Sequence, residues 1–327
     1  MDDILDVDLL AFEGGDDHRR GAVVDGVMRS LATGFVYTSH DLSEDLLDTA
    51  YGMLEQFFSL PLERKQTAAV PGTNGQVGYT GLMVETAASS ETPDWKEMLN
   101  WGARIPDGHP LQRKYPYRYH GPRLPDDLVP GITEVLLRFY DRVLELQRRF
   151  LRIIAVGIGC HESFFDRMTT NGTTLCRAIH YPAMELAPGD RHVWAAEHGD
   201  INLITALPRA TARGLQVRVG DGDGDGCRWI DAIPPDDRVI INTGIMLEHL
   251  TNGAIPQGIH RVVADPAQPG ERYSVVQFCH PTPWTILAPV ASCVGPEQPQ
   301  RFAPIEAGDL LDQVLFEINL VEDARRL

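Results

Sequence analysis

The chain has 327 residues, of which 43% are hydrophobic and 23% charged, and its formal net charge is −17. This composition is ordinary for a soluble globular protein, and the negative charge disfavours binding to nucleic-acid phosphates, which needs a basic surface. The acidic start differs from a basic secretory signal, and no apolar run approaches the roughly 20 residues of a membrane span. We therefore expect a cytoplasmic protein without nucleic-acid or membrane partners.

The cysteines are odd in number, lie far apart and form no C-x-x-C pair, so they predict neither a disulfide framework nor a zinc site. They are Cys160, Cys176, Cys227, Cys279 and Cys293.

The N-terminal part alternates strand and helix signals. Residues 2–12 predict a short strand, and residues 21–32 predict a small amphipathic helix. Residues 34–38 alternate as a strand does. Ser43, followed by two acidic residues, is a typical N-cap, and it predicts a helix to about Ser59.

Between Ala69 and Pro125 the periodicity fades, and Gly, Pro and aromatic residues accumulate. Long irregular segments of this kind are often functional or mobile. The basic aromatic run at 113–119 is short and lies in an acidic chain, so a solvated surface explains it better than nucleic-acid binding.

Pro130 to about Gly157 forms the longest predicted helix, with one continuous apolar stripe and an opposite charged face. Such a helix should pack on the outside of a sheet. Near the C-terminus, Asp309 is a predicted N-cap of a helix to about Val321, which should pack against the sheets or cover their open end.

From residue 174 the chain changes to short strand-like runs separated by turns, which predicts a jelly roll, two facing sheets with a pocket between them. The polar run 220–226 resembles a calcium loop, but it lacks a suitably spaced bidentate Glu and predicts a hairpin turn. The predicted strands are 174–181, 201–207, 215–219, 228–232, 238–242, 258–264 and 273–279.

A metal-ligand pattern lies within this region. In a strand, His198 and Asp200 project from the same face, while the small Gly199 leaves room beside them. His260, in another predicted strand, is the candidate third ligand. Two imidazoles and one carboxylate leave coordination positions open, as in non-haem Fe(II) oxygenases, although these ligands also suit zinc.

Arg272 and Ser274 are also two residues apart, and they follow His260 by about 12 residues. A guanidinium fork and a hydroxyl on one face form a suitable site for a carboxylate.

These motifs resemble the isopenicillin N synthase-like family of iron and 2-oxoglutarate dependent oxygenases. Beyond the His198-x-Asp200, His260 and Arg272-x-Ser274 pattern, the similar segments are 175–182, 213–217, 242–253, 34–37 and Phe57-Phe58, so the resemblance extends over about residues 20–290.

The resemblance implies a mainly β fold with flanking helices, a double-stranded β-helix (jelly-roll) barrel supported by one long helix. It implies a single oxygenase domain over 1–327 with four parts. These are an N-terminal α/β and active-site-covering region (1–125), the supporting helix (126–165), the jelly-roll core (170–290) and a C-terminal helix (300–327).

It also implies Fe(II) held by His198, Asp200 and His260, with 2-oxoglutarate and O2 as co-substrates. Arg272 and Ser274 would bind the far carboxylate of 2-oxoglutarate, and Tyr181 would hydrogen-bond to it. The family's frequent Asn two residues before that tyrosine is Ile179 here.

The expected reaction is hydroxylation, desaturation or cyclisation of a small organic substrate in bacterial secondary or amino acid metabolism, by a monomer or weak homo-oligomer. Two alternatives stay open: an Fe(II) oxidase independent of 2-oxoglutarate, and a zinc-binding or non-catalytic jelly-roll protein. The expected substrate contacts are Tyr79, Trp95, Phe278 and His280.

Overall fold

The structure is a computed structural model that describes residues 4–73, 75–87, 89–189, 191–220, 226–268 and 270–317. The α-helices are α1 (Leu9–Gly14), α2 (Asp17–Ser30), α3 (Glu44–Phe58), α4 (Leu62–Gln66), α5 (Pro110–Lys114), α6 (Ile132–Gly157), α7 (Asp166–Thr169), α8 (Ile245–Leu250) and α9 (Ala307–Glu317). The strands are β1 (Asp6–Val7), β2 (Phe35–Thr38), β3 (Gly78–Thr80), β4 (Glu97–Gly102), β5 (Leu175–Tyr181), β6 (Ala195–His198), β7 (Ile204–Ala210), β8 (Leu215–Val219), β9 (Arg228–Asp231), β10 (Val239–Thr243), β11 (His260–Val262), β12 (Arg272–Cys279), β13 (Ile286–Leu287) and β14 (Ile305–Glu306).

Two sheets face each other and form the barrel. The larger has the order β1-β2-β10-β7-β12-β5-β4-β3, and the smaller has the order β6-β11-β8-β9. Buried apolar side chains from both sheets meet between them, including Trp194, Val217, Ile240 and Val262. The fold is the mainly β jelly roll with flanking helices that the sequence predicted.

Helix α6 packs on the outer face of the larger sheet, as its apolar stripe predicted. Leu146 and Phe150 are fully buried there. The buried Gln147 amide donates hydrogen bonds to the carbonyl oxygens of Ile204 (3.2 Å) and Gln277 (2.8 Å). The helix therefore supports strands β7 and β12 through both apolar packing and hydrogen bonds.

Strand alternation decides which side chains reach the space between the sheets. On β12, Arg272, Ser274, Val276 and Phe278 line the inner pocket, whereas Tyr273, Val275 and Cys279 belong to the core under the helices. The period of two follows from strand geometry.

The N-terminal helix α3 confirms the cap prediction, because the Ser43 hydroxyl accepts a hydrogen bond from the Leu46 N–H (3.4 Å). The predicted strand at 2–12 is wrong for most of its length. Residues 2 and 3 lie outside the described residues, and of residues 4–12 only Asp6–Val7 form a strand, β1. A helix starts at Leu9 because the Asp8 carboxylate accepts the Ala11 N–H (3.1 Å).

Two other boundaries also differ. Helix α9 begins at Ala307, so Asp309 lies within its first turn and is not its cap, and residues 318–321 lie outside the described residues. Of the predicted turn at 220–226, residues 221–225 also lie outside them, although the flanking strands β8 and β9 do pair antiparallel.

The segment 69–125 contains more regular structure than its composition indicates. Strands β3 and β4 extend the larger sheet beyond β5, and α5 follows them. Within the described part of the chain, no helix has the length and apolar character that crossing a bilayer requires.

Candidate metal centre and adjoining cavities

His198 and His260 lie opposite each other on antiparallel strands β6 and β11. Their ring centroids are 4.3 Å apart. Each Nδ1 lies near the carbonyl oxygen two residues earlier, 2.7 Å from that of Ala196 and 3.1 Å from that of Gly258. A carbonyl oxygen only accepts, so each Nδ1 donates to it, and Nε2 is the ring nitrogen that is left for a metal.

Asp200 completes the group, but it does not lie on the same strand as His198. Strand β6 ends at His198, and Asp200 lies in the following bend, where its carbonyl oxygen accepts the Ile245 N–H (2.8 Å). A Cβ at Gly199 would lie 2.2 Å from the Gln257 side-chain oxygen, so a larger residue here would require the Gln257 side chain to move. The expectation of one continuous strand is therefore wrong, whereas the shared direction of the two side chains is confirmed.

The donor set is ready to receive a divalent cation. The ligand atoms of His198, Asp200 and His260 all lie within 4.8 Å of one another. One carboxylate oxygen of Asp200 accepts hydrogen bonds from the Thr205 hydroxyl (2.5 Å) and the Asn242 amide (2.8 Å). This fixes the carboxylate and leaves its other oxygen for a metal.

The electrostatics of the group favour metal binding over protonation. Burial, together with repulsion from His260, lowers the pKa of His198 to about 4, so this imidazole is neutral at pH 7. Burial would raise the pKa of Asp200, but the two histidines, Thr205 and Asn242 outweigh it and lower that pKa. Neutral imidazoles and an ionised carboxylate are the forms that coordinate Fe(II).

Arg272 lies deeper between the sheets and is only 2% exposed. Its Nε donates to the Ala212 carbonyl oxygen (3.1 Å), and its Nη1 donates to the Ser274 hydroxyl (3.0 Å). Burial lowers its pKa, and the groups that oppose this are hydroxyls of Tyr181 and Tyr51 rather than carboxylates. A buried guanidinium without a carboxylate partner among the described residues needs an anionic ligand.

The other predicted co-substrate residues line the same pocket. The guanidinium carbon of Arg272 is 5.0 Å from the centre of the Tyr181 ring. Ile179 also faces this pocket, which confirms that an apolar side chain occupies the position where the family frequently has Asn. Asn242 was not predicted as a site residue, although it lies within the similar segment 242–253.

The metal group also opens on a larger cavity of about 400 Å³. Phe278 and His280 line this cavity, as the sequence predicted, together with apolar residues of α9. Tyr79 and Trp95 lie elsewhere. The Tyr79 hydroxyl donates to the buried Glu97 carboxylate (2.5 Å), and Trp95 packs in the core between the sheets.

Sequence reasoning missed the charged residues of the cavity wall. Lys96 and Arg177 line both the metal pocket and the large cavity, and Glu85 lines the large cavity. Arg177 could have been found by alternation, since it is two residues before Ile179 on β5. Glu85 lies in an irregular segment, where no periodicity locates a side chain.

Comparisons with known proteins agree with this geometry. Residues 4–124 match the family "non-haem dioxygenase in morphine synthesis N-terminal", and residues 173–281 match the 2OG-Fe(II) oxygenase superfamily. A Caulobacter crescentus structure of a 2OG-Fe(II) oxygenase family protein is 30% identical, with a TM-score of 0.83 over 97% of this chain and 100% of the other. The chain belongs to the 2OG-Fe(II) oxygenase superfamily.

Two further proteins to which this chain is similar come from other organisms. Kihadalactone A synthase from Citrus sinensis is 28% identical over 90% of this chain and 87% of its own length. A Neurospora crassa protein, whose structure is in complex with alpha-KG and thymine, is 25% identical, with a TM-score of 0.81 and 97% of each chain covered.

As a 2OG-Fe(II) oxygenase, the protein uses Fe(II), 2-oxoglutarate and O2. The structure fits these groups on two independent observations. One is the fixed donor set of two imidazoles and a carboxylate, and the other is the uncompensated buried cation of Arg272.

Proposed function

We propose that this oxygenase hydroxylates, desaturates or cyclises a small organic molecule, and that His198, Asp200 and His260 hold its iron. The observation that supports the proposal most is the continuity of the site. Residues His198, Asp200, Lys96, Arg177 and Phe278 line both the metal pocket and the large cavity. A molecule in the cavity therefore lies next to the metal group.

In this proposal, the far carboxylate of 2-oxoglutarate binds Arg272 and Ser274, and Tyr181 lies beside it. The Nε2 atoms of His198 and His260 and the free oxygen of Asp200 face the metal. Bound Fe(II) and 2-oxoglutarate would supply the oxidising chemistry, in which one oxygen atom of O2 enters succinate as CO2 is released. The other oxygen atom would enter the product in a hydroxylation, or leave as water with two substrate hydrogens in a desaturation or cyclisation.

The remaining residues position the reaction. Thr205 and Asn242 hold the Asp200 carboxylate in one orientation, and Phe278 lines both the metal pocket and the large cavity. Over the cavity, Leu311, Val314 and Leu315 of α9 present apolar side chains, which limit the access of water to the reacting carbon.

The cavity supports a free small molecule as the substrate. Its volume of about 400 Å³ and mixed apolar and polar wall are typical of small-molecule sites. The Neurospora crassa protein named above holds thymine, and Kihadalactone A synthase is named for a small organic product. We propose bacterial secondary or amino acid metabolism as its setting, which is what the resemblance of the sequence to this family implies.

Substrate-stimulated succinate formation tests the proposal. Amino acids, peptides and natural-product precursors are screened with Fe(II) and 2-oxoglutarate, and Phe278→Ala is the variant that should change which compounds stimulate. Stimulation only by folded proteins or oligonucleotides would contradict a small-molecule substrate. Substrate turnover that needs no 2-oxoglutarate would instead favour an oxidase that takes all four electrons from its substrate.

A further inference from the structure

Two cations on the wall of the large cavity differ from Arg272 because both are neutralised. The Lys96 ammonium lies 2.8 Å from the Asp94 carboxylate and 3.2 Å from the Glu85 carboxylate. The Arg177 guanidinium lies 3.2 Å from the same Glu85 oxygen. Two positive and two negative charges give this wall cluster (Glu85, Asp94, Lys96, Arg177) a formal net charge of zero.

The wall cluster is fixed and largely dry. Its side chains are between 3% and 14% exposed. The second Asp94 oxygen accepts the Ala196 N–H (3.0 Å), and Arg177 donates to the Asn100 side-chain oxygen (2.9 Å). The Arg177 guanidinium also lies 5.5 Å from the centre of the Phe278 ring. Neither cation is therefore free to turn toward a new partner at low cost.

Glu85 is the residue that determines the net charge of the wall cluster. Burial would raise its pKa, but Arg177 and Lys96 outweigh burial and lower the pKa to about 2, so Glu85 is ionised at pH 7. Without Glu85, Lys96 would keep Asp94, whereas Arg177 would lose the carboxylate that it pairs with among the described residues. Arg177 would then resemble Arg272, a buried cation that faces a cavity and needs an anion.

We propose that Glu85 is a specificity-determining residue, which neutralises the cavity wall so that the site accepts neutral, largely apolar substrates and rejects carboxylates and phosphates. This inference rests on the proposed function and names the substrate class of that site. It narrows the proposed small molecules to those without a free carboxylate, and it therefore excludes free amino acids. An anion at this wall would lose its hydration without gaining a counter-charge, and it would lie beside the ionised Glu85.

The same arrangement keeps the co-substrate out of the substrate cavity. 2-Oxoglutarate is a dianion, and it has an uncompensated cation at Arg272 but not at the wall cluster. The apolar part of the wall suits the carbon skeleton of a neutral molecule. It includes Leu175, Ile201, Ile245, Leu311, Val314 and Phe278.

Binding of two matched fluorescent probes tests the proposal without turnover. Phenylnaphthylamine is neutral, and anilinonaphthalene sulfonate has the same rings with one added anion. Both are titrated under nitrogen into protein loaded with Fe(II) and 2-oxoglutarate, so that Arg272 is engaged. For each probe, only the part of the fluorescence signal that is lost in Ala87→Trp is counted as binding in the cavity. Ala87 lines the cavity, and a Trp at this position would fill it.

We expect wild type to bind the neutral probe at least about tenfold more tightly than the anion, which corresponds to about 1.4 kcal/mol. Glu85→Gln should raise the affinity for the anion about tenfold and leave the neutral probe unchanged, because the wall cluster then has a net positive charge. Glu85→Gln/Lys96→Gln should restore the preference of wild type. Glu63→Gln, which removes an exposed charge from α4, is the matched control and should change neither affinity.

Three results would overturn the inference: equal affinities in wild type, an unchanged preference in Glu85→Gln, or no cavity binding of the neutral probe. Failure to load Fe(II) and 2-oxoglutarate would speak against the proposed function instead. The probe titration is therefore repeated on unloaded Arg272→Met protein, in which the wall cluster is unchanged and Arg272 can no longer bind the anionic probe. Circular dichroism shows whether each variant is folded.

Discussion

Replacing Arg272 by Met should separate co-substrate binding from folding. Met fills much of the space of the arginine stem and removes a charge that is 2% exposed and has no carboxylate partner among the described residues. Losing the hydrogen bonds to Ala212 and Ser274 costs about 1 kcal/mol each. Relief of an uncompensated buried charge offsets that loss, so the unfolding free energy without ligand should change by less than about 1 kcal/mol.

The effect on binding should be much larger. Two charge-assisted hydrogen bonds from the guanidinium to a carboxylate, at about 1.5 kcal/mol each, correspond to a Kd that is about 100-fold weaker. At about 100 times the wild-type Kd, 2-oxoglutarate should stabilise wild type by about 2.7 kcal/mol and the variant by about 0.4 kcal/mol. For a chain of this size, the difference corresponds to about 3 °C in Tm.

Thermal unfolding with Fe(II) under nitrogen, with and without 2-oxoglutarate, measures both quantities in one series. Arg209→Gln is the control, because Arg209 is a partly exposed arginine paired with Glu44 and Asp48. A variant that keeps the full stabilisation by 2-oxoglutarate would refute the carboxylate site at Arg272. A variant that unfolds several kcal/mol more easily without ligand would show that Arg272 is mainly structural.

Three further predictions concern the residues around the site. Thr205→Val removes a hydrogen bond to Asp200 and should weaken Fe(II) binding by about 10-fold or more, as measured by metal titration, whereas unchanged affinity would contradict the orienting role. Lys65→Met leaves the buried Glu97 without its ammonium partner (2.7 Å) and should lower the unfolding free energy by about 3 kcal/mol, with partial recovery in Lys65→Met/Glu97→Gln. Arg177 and Lys96 overcome burial and lower the pKa of Glu85 to about 2. Ionised Glu85 therefore contributes fully to the free energy of unfolding above its ordinary pKa of about 4.5. This contribution is lost as pH falls from about 5 toward 2. Glu85→Gln should flatten that part of the stability curve, and an unchanged curve would contradict the lowered pKa.

The metal group was predictable from the sequence because its ligands combine a short local spacing with a strand pattern. His198 and Asp200 are two residues apart, and His260 pairs directly with His198 across the smaller sheet. The co-substrate side was predictable for the same reason, since alternation along β12 places Arg272, Ser274 and Phe278 on one face.

The substrate side was predictable only in part. Phe278 on β12 and His280 directly after it follow from strand alternation, whereas the prediction of Tyr79 and Trp95 rested only on aromatic character within an irregular segment. Tyr79 lies on β3 with its ring in the helix-side core and its hydroxyl on Glu97. Glu85 and Lys96 meet Arg177 through long-range contacts between an irregular segment and β5, and local sequence patterns do not specify such contacts.

Local hydrogen bonds explain the errors in the element boundaries. The Asp8 carboxylate caps a helix where apolar residues alone indicated a strand. The bend after His198 is held by the hydrogen bond from the Ile245 N–H to the Asp200 carbonyl oxygen. These contacts outweigh the strand propensity of the local sequence because they satisfy backbone groups that would otherwise be unpaired.

The most direct test of the proposed iron site is the visible absorption band that appears when Fe(II) and 2-oxoglutarate are added together under nitrogen. Wild type should give the band with one iron per chain. His198→Ala, Asp200→Ala and His260→Ala should each lose it, and Arg272→Met should require about 100-fold more 2-oxoglutarate. A band that persists in His198→Ala or His260→Ala, or a wild-type protein that gives no band, would contradict the assignment of these residues to the metal.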